Sequence, residues 1–426
     1  MQLKLIFISL IVGLINGFLI TFYETTLEFC KKLFFGGNPF LAIEKLPIWY
    51  LYILPTITIL IVNFLISSNP HIREYAINDI ADSIAQNKMV INFKILFLKI
   101  FSSVISLSSG FVVGTEGPSA GIGAMVAFQI YKFFKLPKVF MKLLISIGAS
   151  SAIAAIFVSP LTGISFAFEY IAHKFLKQYM GYLIIASVMA FAISNNFLEP
   201  IIFRHSLGRE FDKEFIVINF LFIPYVTFFI YFYLFLKRKV LHIVDLEIFK
   251  KVHHLRNYIF AVIGGGVVGT ILLIEPHAAF SGKEMLIYLI NHQEPMSLAL
   301  IFTIVLLRIV GTTVSIYANA VGGLFLPIMS IGALVGFSFG DILSYYHLTS
   351  EPFYFAAIGA AVFMGVLMKL PLTAVVLALE TTFDYNVVVA TGISVVIVGF
   401  ITSINFEIRR KYIDSIERKR KIKKHS

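Results

Sequence analysis

The chain of 426 residues is 58% hydrophobic and 14% charged, whereas a soluble globular protein has about 45–50% and about 25%. Its mean hydropathy of +0.87 leaves room for roughly ten membrane helices of about 20 residues each. This composition excludes an ordinary soluble enzyme, and the lack of repeated 10-residue alternation excludes a membrane β-barrel. The net charge of +11 comes mostly from Lys and Arg beside apolar runs, a membrane pattern rather than a nucleic-acid-binding one.

Ten apolar runs have the length of a membrane helix. They cover residues 3–22, 49–66, 96–113, 143–170, 182–202, 215–236, 258–274, 298–319, 353–379 and 387–405. The first run has no small-residue cleavage site, which indicates a retained helix rather than a signal peptide. Lys and Arg are concentrated from Lys237 to Arg256 and from Arg409 to Lys424, so both stretches are predicted to be cytoplasmic. We expect a multi-pass protein of the cell (inner) membrane with both termini in the cytoplasm.

An internal repeat relates the two halves of the chain. PLTGISFAFE at 160–169 matches PLTAVVLALE at 371–380, and PSAGIGAMVAF at 118–128 matches PIMSIGALVGF at 327–337. In transporters such repeats are commonly inverted, and the substrate is held where broken helices meet. The predicted organisation is one transmembrane domain over 1–426, with a first repeat at 1–210, a second repeat at 211–405 and a basic cytoplasmic tail at 406–426.

Two glycine-rich segments are predicted to start broken helices that face each other. One is GTEGP at 114–118, and the other is GGLFLP at 322–327. A helix start offers unpaired N–H groups and a partial positive charge, which together favour an anion. We expect Gly117, Phe325 and Leu326 to contribute to one anion site. Two helix starts would hold an anion without a full positive charge that binds it too tightly for release.

Glu116 gives this predicted site a dependence on protons. When it is ionised, its carboxylate is itself an anion at a helix start and competes with the permeating ion. When it is protonated, it has no reason to remain there. The sequence therefore predicts that Glu116 gates the site or couples anion movement to proton movement; the simpler alternative is an acidic residue favoured by the helix dipole.

With these motifs, the chain resembles the CLC family of chloride channels and proton-coupled chloride antiporters over nearly its whole length. The resemblance implies an all-α polytopic membrane fold of two inverted-topology repeats with broken, re-entrant helices around a central anion site. GTEGP is similar to the family's GREGP, which makes Glu116 the gating glutamate. GGLFLP is similar to GxFxP, which puts Phe325 beside the anion. In ETTFDYN, Tyr385 takes the position of the pore tyrosine, with an interfacial aromatic as the alternative.

Three departures from the family pattern bear on mechanism. The serine of the usual GSGIP motif is missing, and Tyr75 stands at its position, which puts the preference for chloride in doubt. Thr115 replaces the usual arginine. The internal proton-relay glutamate of the antiporters aligns with Tyr170, so an inner proton route at Glu169 and Tyr170 requires a displaced path; Glu169 is otherwise a helix-end residue.

Two cations lie inside apolar runs at matching positions. Lys99 precedes Gly114 by 15 residues, and Arg308 precedes Gly323 by 15 residues. Buried cations are costly unless they face a cavity or a partner. We interpret both as raising the anion-attracting potential of the pore, with snorkelling to an interface as the alternative.

The predicted function is transmembrane transport of chloride or a similar small inorganic anion, gated or proton-coupled by Glu116. A passive chloride channel and a fluoride/proton antiporter remain alternatives. A transporter of organic anions and an intramembrane hydrolase using Ser150 or Ser151 are more distant ones, and we expect no enzyme. No cofactor, metal site or nucleic-acid partner is expected. Membrane lipid, halide and possible proton partners are expected, and the resemblance implies a homodimer with one pore per subunit and no CBS domains.

Overall fold

The computed structural model describes residues 2–73, 86, 93–171, 179–201, 213–244, 256–291, 296–348 and 352–404. Within these ranges the main elements are fifteen helices, labelled here in chain order. They are α1 Gln2–Phe35, α2 Ile48–Ser68, α3 Phe93–Ser108, α4 Glu116–Phe133, α5 Met141–Phe157, α6 Pro160–Phe166, α7 Met180–Ser194, α8 Lys213–Val244, α9 Arg256–Ile274, α10 Lys283–Asn291, α11 Leu298–Tyr317, α12 Phe325–Tyr345, α13 Pro352–Met368, α14 Pro371–Thr382 and α15 Tyr385–Ile404.

The helices occur in the same order in both halves. The series from α3 to α7 has counterparts in the series from α11 to α15, and the long helix α1 corresponds to α8. Helices α6 and α14 are antiparallel, because a glutamate near the C-terminal end of each caps the N-terminus of the other. The chain therefore forms two inverted-topology helical repeats, as the family resemblance implies.

Two predicted apolar runs are each two helices in the structure, which corrects the ten-segment prediction. The run 143–170 breaks between α5 and α6, and the run 353–379 breaks between α13 and α14. Val158 (φ 51°) and Lys369 (φ 60°) adopt the left-handed conformation at these breaks. Each following helix starts with a proline, which fits the first helical turn but disfavours helix in the residue before it.

The innermost helices pack through pairs of glycines. A Cβ on Gly123 of α4 would lie 2.3 Å from the carbonyl oxygen of Gly148 on α5. The second half repeats this crossing with Gly332 of α12 and Gly359 of α13, also at 2.3 Å. Small residues allow two membrane helices to approach this closely. These contacts hold α4 and α12 in the interior, where each carries one of the glycine-rich segments at its start.

The outer helices have the character of membrane spans. Eight stretches within the described residues are long and apolar enough to cross a bilayer, among them Ile48–Ser68 and Arg256–Ile274. Large apolar side chains such as Phe64 and Phe228 are exposed on these helices. An apolar exterior around a packed interior is the arrangement that a bilayer stabilises.

Candidate anion site

Two backbone hydrogen bonds join the glycine-rich segments of the two halves. Gly114 N–H donates to the carbonyl oxygen of Gly323 at 2.8 Å, and Gly323 N–H donates to that of Gly114 at 2.7 Å. This reciprocal exchange is antiparallel. It fixes the start of α4 against the start of α12, so two helix N-termini meet at one buried point.

Glu116 lies at this meeting point and is fully buried. It is the first residue of α4, and its carboxylate oxygen Oε1 accepts a hydrogen bond from Phe325 N–H, at the start of α12, at 2.5 Å. The N–H of Leu326 also interacts with the carboxylate. The acid of one half therefore occupies the amide groups at the helix start of the other half, where the dipole favours an anion.

The glycines of both motifs leave room for this carboxylate. A Cβ on Gly114 would lie 2.0 Å from Glu116 Oε2, and one on Gly323 would lie 2.3 Å from Oε1. Gly117 is also in close contact, since its Cβ would lie 3.0 Å from the Cα of Gly323. A larger residue at Gly114 or Gly323 would therefore displace the acid from the amides.

The site is only partly satisfied and has an apolar wall. Glu116 Oε2 has no hydrogen-bond partner among the described residues. The Phe325 ring packs against Phe157, the last residue of α5, with ring centroids 4.9 Å apart. Hydrogen bonds from the described residues therefore hold Oε1 but not Oε2. An unsatisfied buried carboxylate oxygen is costly. Sequence reasoning missed Phe157, whose signal is its position just before the break that precedes Pro160.

Comparison with known proteins agrees with this geometry. A family model described as "Voltage gated chloride channel" matches residues 58–403. This chain belongs to that family. The H(+)/Cl(-) exchange transporter ClcA of Salmonella typhi is 26% identical over 402 residues, covering 91% of this chain and 82% of that protein. The ClcA of Salmonella typhimurium matches at the same identity and coverage.

Solved structures of CLC proteins share the fold. A slow cyanobacterial Cl-/H+ antiporter has a TM-score of 0.82 at 19% identity, covering 93% of this chain and 94% of that one. A CLC-type fluoride/proton antiporter has a TM-score of 0.74 at 19% identity, covering 94% and 95%. A eukaryotic CLC transporter has a TM-score of 0.71 at 16% identity, covering 94% and 72%. Because it belongs to the family matched over residues 58–403 and has this fold, the chain is a multi-pass membrane protein that transports small anions through a CLC-type pore.

The two intramembrane cations of this CLC chain are buried and occupy equivalent places. Lys99 Nζ donates to the carbonyl oxygen of Ile72, in the turn after α2, at 3.3 Å. Arg308 Nη1 donates to the carbonyl oxygens of His277 (3.2 Å) and Ala279 (3.1 Å), at the turn after α9. Neither side chain reaches an interface, so snorkelling is excluded.

Arg308 lies against the helix that starts at the site. A Cβ on Gly282 would lie 2.2 Å from Arg308 Nη2 and 2.5 Å from Ser330 Oγ, a side chain of α12. The guanidinium Nε and Nη2 have no hydrogen-bond partner among the described residues. The guanidinium therefore places a positive charge beside α12. Its hydrogen bonds to backbone carbonyl oxygens do not neutralise this charge.

The structure does not bring Tyr385 to the site, contrary to the sequence-based expectation. Tyr385 begins α15 two residues after the left-handed residue Phe383 and is 67% exposed, whereas Glu116 and Phe325 are buried. The ETTFDYN motif ends one helix and starts the next, and this geometry turns the tyrosine outward. Tyr75, the other predicted hydroxyl ligand, lies outside the described residues.

Glu169 has its carboxylate committed to a helix start. Its Oε1 accepts from Leu372 N–H at 2.9 Å, and its Oε2 accepts from Thr373 N–H and Thr373 Oγ1, both at 2.8 Å. The acid therefore caps α14. Tyr170, the next residue, stacks on Phe166 with ring centroids 5.3 Å apart.

Glu380 makes the reciprocal cap and was missed by the sequence analysis. It accepts from Leu161 N–H at 2.9 Å and from Thr162 N–H at 2.6 Å, at the start of α6. The signal was present in the repeat, since both PLT segments end in glutamate and both helix starts have free amides. What the sequence lacked was the antiparallel placement that puts each acid at the other helix.

The serines considered for hydrolase chemistry make structural contacts. Ser150 Oγ donates to the carbonyl oxygen of Gly163 and hydrogen-bonds Ser187 Oγ, at 2.9 and 2.8 Å. Ser151 Oγ accepts from Asn16 Nδ2 at 2.8 Å. These bonds tie α5 to α6, α7 and α1. Across the described ranges, no group of three or more His, Cys, Asp or Glu side chains is placed to hold a metal ion.

Proposed function

We propose that this CLC protein exchanges chloride for protons and that Glu116 is the gate linking the two movements. The observation that carries the proposal is the Glu116 carboxylate on the amide of Phe325, between two helix N-termini. The site holds a negative group with N–H donors and helix dipoles rather than with a cation in direct contact. A permeating anion can use the same donors once the carboxylate has left.

The exchange follows from competition for these donors. Ionised Glu116 blocks the site, while protonation removes its charge and its affinity for the helix starts. An anion then takes the vacated donors, and the proton moves with the displaced side chain. Because Oε2 has no partner among the described residues, few hydrogen bonds oppose this displacement.

The named relatives favour exchange over passive conduction. The matched ClcA proteins are H(+)/Cl(-) exchange transporters, and two of the similar structures are proton antiporters, one for chloride and one for fluoride. Fluoride/proton exchange is the second candidate, since the position of the missing serine is held by Tyr75. A passive chloride channel is the outcome expected if proton movement is absent.

The inner part of the proton path is inferred to avoid Glu169. Both of its carboxylate oxygens accept hydrogen bonds from α14, so taking up a proton would weaken this cap. We assign Glu169 a structural role. Since Tyr170 stands where the antiporters have their internal glutamate, the inner proton path of this chain then differs from theirs at Tyr170.

A homodimer in the cell membrane with cytoplasmic termini completes the proposal. The α6 and α14 starts present Leu161 and Leu372, 48% and 46% exposed, beside the capping carboxylates of Glu380 and Glu169. Charged groups at a lipid-facing surface are costly. A second copy covering this face would remove that cost.

The test is simultaneous recording of chloride efflux and external pH from proteoliposomes. For the wild type, chloride efflux should drive proton uptake into the vesicles with no imposed pH gradient. Glu116→Gln should retain chloride efflux and lose proton movement, because an amide cannot carry the proton. Chloride efflux without proton movement in the wild type would contradict exchange and identify a channel.

A further inference from the structure

A second buried carboxylate lies near Glu116, on α1. Glu24 is only 3% exposed. Its Oε1 accepts from Lys283 Nζ at 3.0 Å, and its Oε2 has no hydrogen-bond partner among the described residues. Burying one carboxylate oxygen without a hydrogen-bond partner costs free energy, and packing alone gives no reason for an acid here.

Glu24 lines a charged cavity of about 430 Å³ between α1, α10 and the segment after α7. The other titratable residues of its lining are Glu28, Lys32, Glu199, Lys283 and Glu284. A polar cavity of this size holds several water molecules. Glu24 is therefore a buried acid in the wall of a space that can hold water, and its Oε2 atom is itself enclosed by protein.

The charged side chains around the cavity form two sets of ion pairs. Lys31 Nζ bonds Glu28 Oε1 at 2.7 Å and also bonds Glu284, and the charge of Arg308 also interacts with Glu284. Lys283 is the cation that bonds Glu24. Glu24 therefore has one cation bond, to Lys283, and one oxygen without a hydrogen-bond partner among the described residues.

Glu24 also acts electrostatically on the gate. Its carboxylate is close enough to that of Glu116 for their charges to repel. The buried hydroxyl of Tyr23, next to Glu24 in the chain, interacts electrostatically with both carboxylates and hydrogen-bonds Ser103 Oγ at 2.6 Å. Like charges in a poorly solvated interior interact strongly, so the proton on one carboxylate affects the ionisation of the other.

We propose that Glu24 is a second proton carrier, which takes protons from the cavity water and passes them to Glu116. Hydronium in the cavity gives its proton to the Glu24 carboxylate and leaves water. The O–H bond on Glu24 then breaks as an O–H bond forms on Glu116, through hydrogen-bonded water. The step needs no other reactant, and it rests on the proposed proton-coupled exchange.

The test compares Glu24→Gln with Glu199→Gln in proteoliposomes, with chloride efflux and proton movement recorded together. The control removes an acid from the same cavity, but one that is exposed. Glu24→Gln should lower the number of protons moved per chloride at least tenfold, and Glu24→Asp should restore most of it. Glu199→Gln should match the wild type.

Each outcome separates the two proposals. Unchanged proton coupling in Glu24→Gln, with a coupled wild type, overturns the role of Glu24 and leaves the function of Glu116 intact. A wild type that moves no protons overturns both. If Glu24→Gln fails to fold because Lys283 is left without a charged partner, the double variant Glu24→Gln/Lys283→Gln removes both charges. Its coupling should again be lost, and full coupling would overturn the proposal.

Discussion

Most single residues at the site act either by donating backbone N–H groups to the Glu116 carboxylate or by leaving space for it. Phe325 and Leu326 contribute backbone N–H groups, while Gly114 and Gly323 contribute the absence of a side chain. Among the described residues that meet at this point, Glu116 is the one that contributes a charge. A site made this way has an affinity for anions that depends on whether its own acid is present.

Replacing Gly323 with alanine should therefore disable the gate. The added Cβ would lie 2.3 Å from Glu116 Oε1, so the carboxylate cannot keep its bond to the Phe325 amide. We expect proton-coupled exchange to fall by at least about tenfold, equivalent to about 1.4 kcal/mol, in the proteoliposome assay.

Gly266→Ala is the matched control for this variant. Gly266 lies on α9, and a Cβ there meets no atom within 4 Å, so this variant should behave as the wild type. Full coupling in Gly323→Ala would contradict the role assigned to the glycine.

The residue types in the motifs predicted more of the site correctly than the spacing between residues did. GTEGP and GGLFLP predicted which amides and which acid meet, because a helix start has the same chemistry wherever it occurs. Tyr385 was placed by spacing alone, and spacing does not determine which way a side chain points after a left-handed residue such as Phe383. Glu24 carried no motif, since its importance depends on a cavity formed by distant segments.

Helices α6 and α14 form a reciprocal pair at the scale of elements. Each is short, starts with proline and takes a carboxylate from the other at its first free amides. A charged cap at a helix N-terminus contributes about 1–2 kcal/mol. The two caps therefore stabilise the junction of the two repeats.

Glu169→Gln and Glu380→Gln should each reduce the free energy of unfolding by about 1–2 kcal/mol. The measurement is thermal unfolding of the purified protein in detergent. Both variants should still couple protons to chloride, since neither acid is part of the proposed proton path. Glu44→Gln, at an exposed position, is the control and should leave unfolding unchanged. Loss of proton movement in Glu169→Gln with normal stability would contradict its role as a cap.

The order of helices was predictable from the sequence, but two of the breaks were not. Apolar runs mark membrane helices because lipid selects for composition, and the runs 143–170 and 353–379 are predominantly apolar. Composition is insensitive to a single left-handed residue, so the breaks at Val158 and Lys369 are visible only through the prolines that follow them. Antiparallel pairing of the halves requires contacts that no local pattern encodes.

The described helices have an apolar exterior, and one face of the molecule has the carboxylates of Glu169 and Glu380 beside it. We define the α6–α14 face by Leu161, Leu372, Val188 of α7 and Val396 of α15, all exposed. The pair of capping carboxylates lies beside Leu161 and Leu372 on this face. If a second copy covers this face, introduced cysteines near it should come together.

A cysteine at Val188, in a background with Cys30→Ser to remove the single native thiol, should form a disulfide-linked dimer on oxidation in the membrane. A cysteine at Phe64 on α2, equally apolar and exposed, is the control and should remain monomeric on a non-reducing gel. Equal cross-linking at both positions would indicate random collision, and cross-linking only at Phe64 would contradict the proposed face.

The central claim is that Glu116 and the transported anion compete for the same amide groups. Isothermal titration of chloride into the purified wild type and Glu116→Gln, across a series of pH values, tests it directly. We predict that wild-type affinity rises at least tenfold as the pH falls and Glu116 becomes protonated. The variant should bind with the higher affinity at every pH. By linkage, chloride binding to the wild type should also take up protons. Equal, pH-independent affinities for the two proteins would contradict the competition.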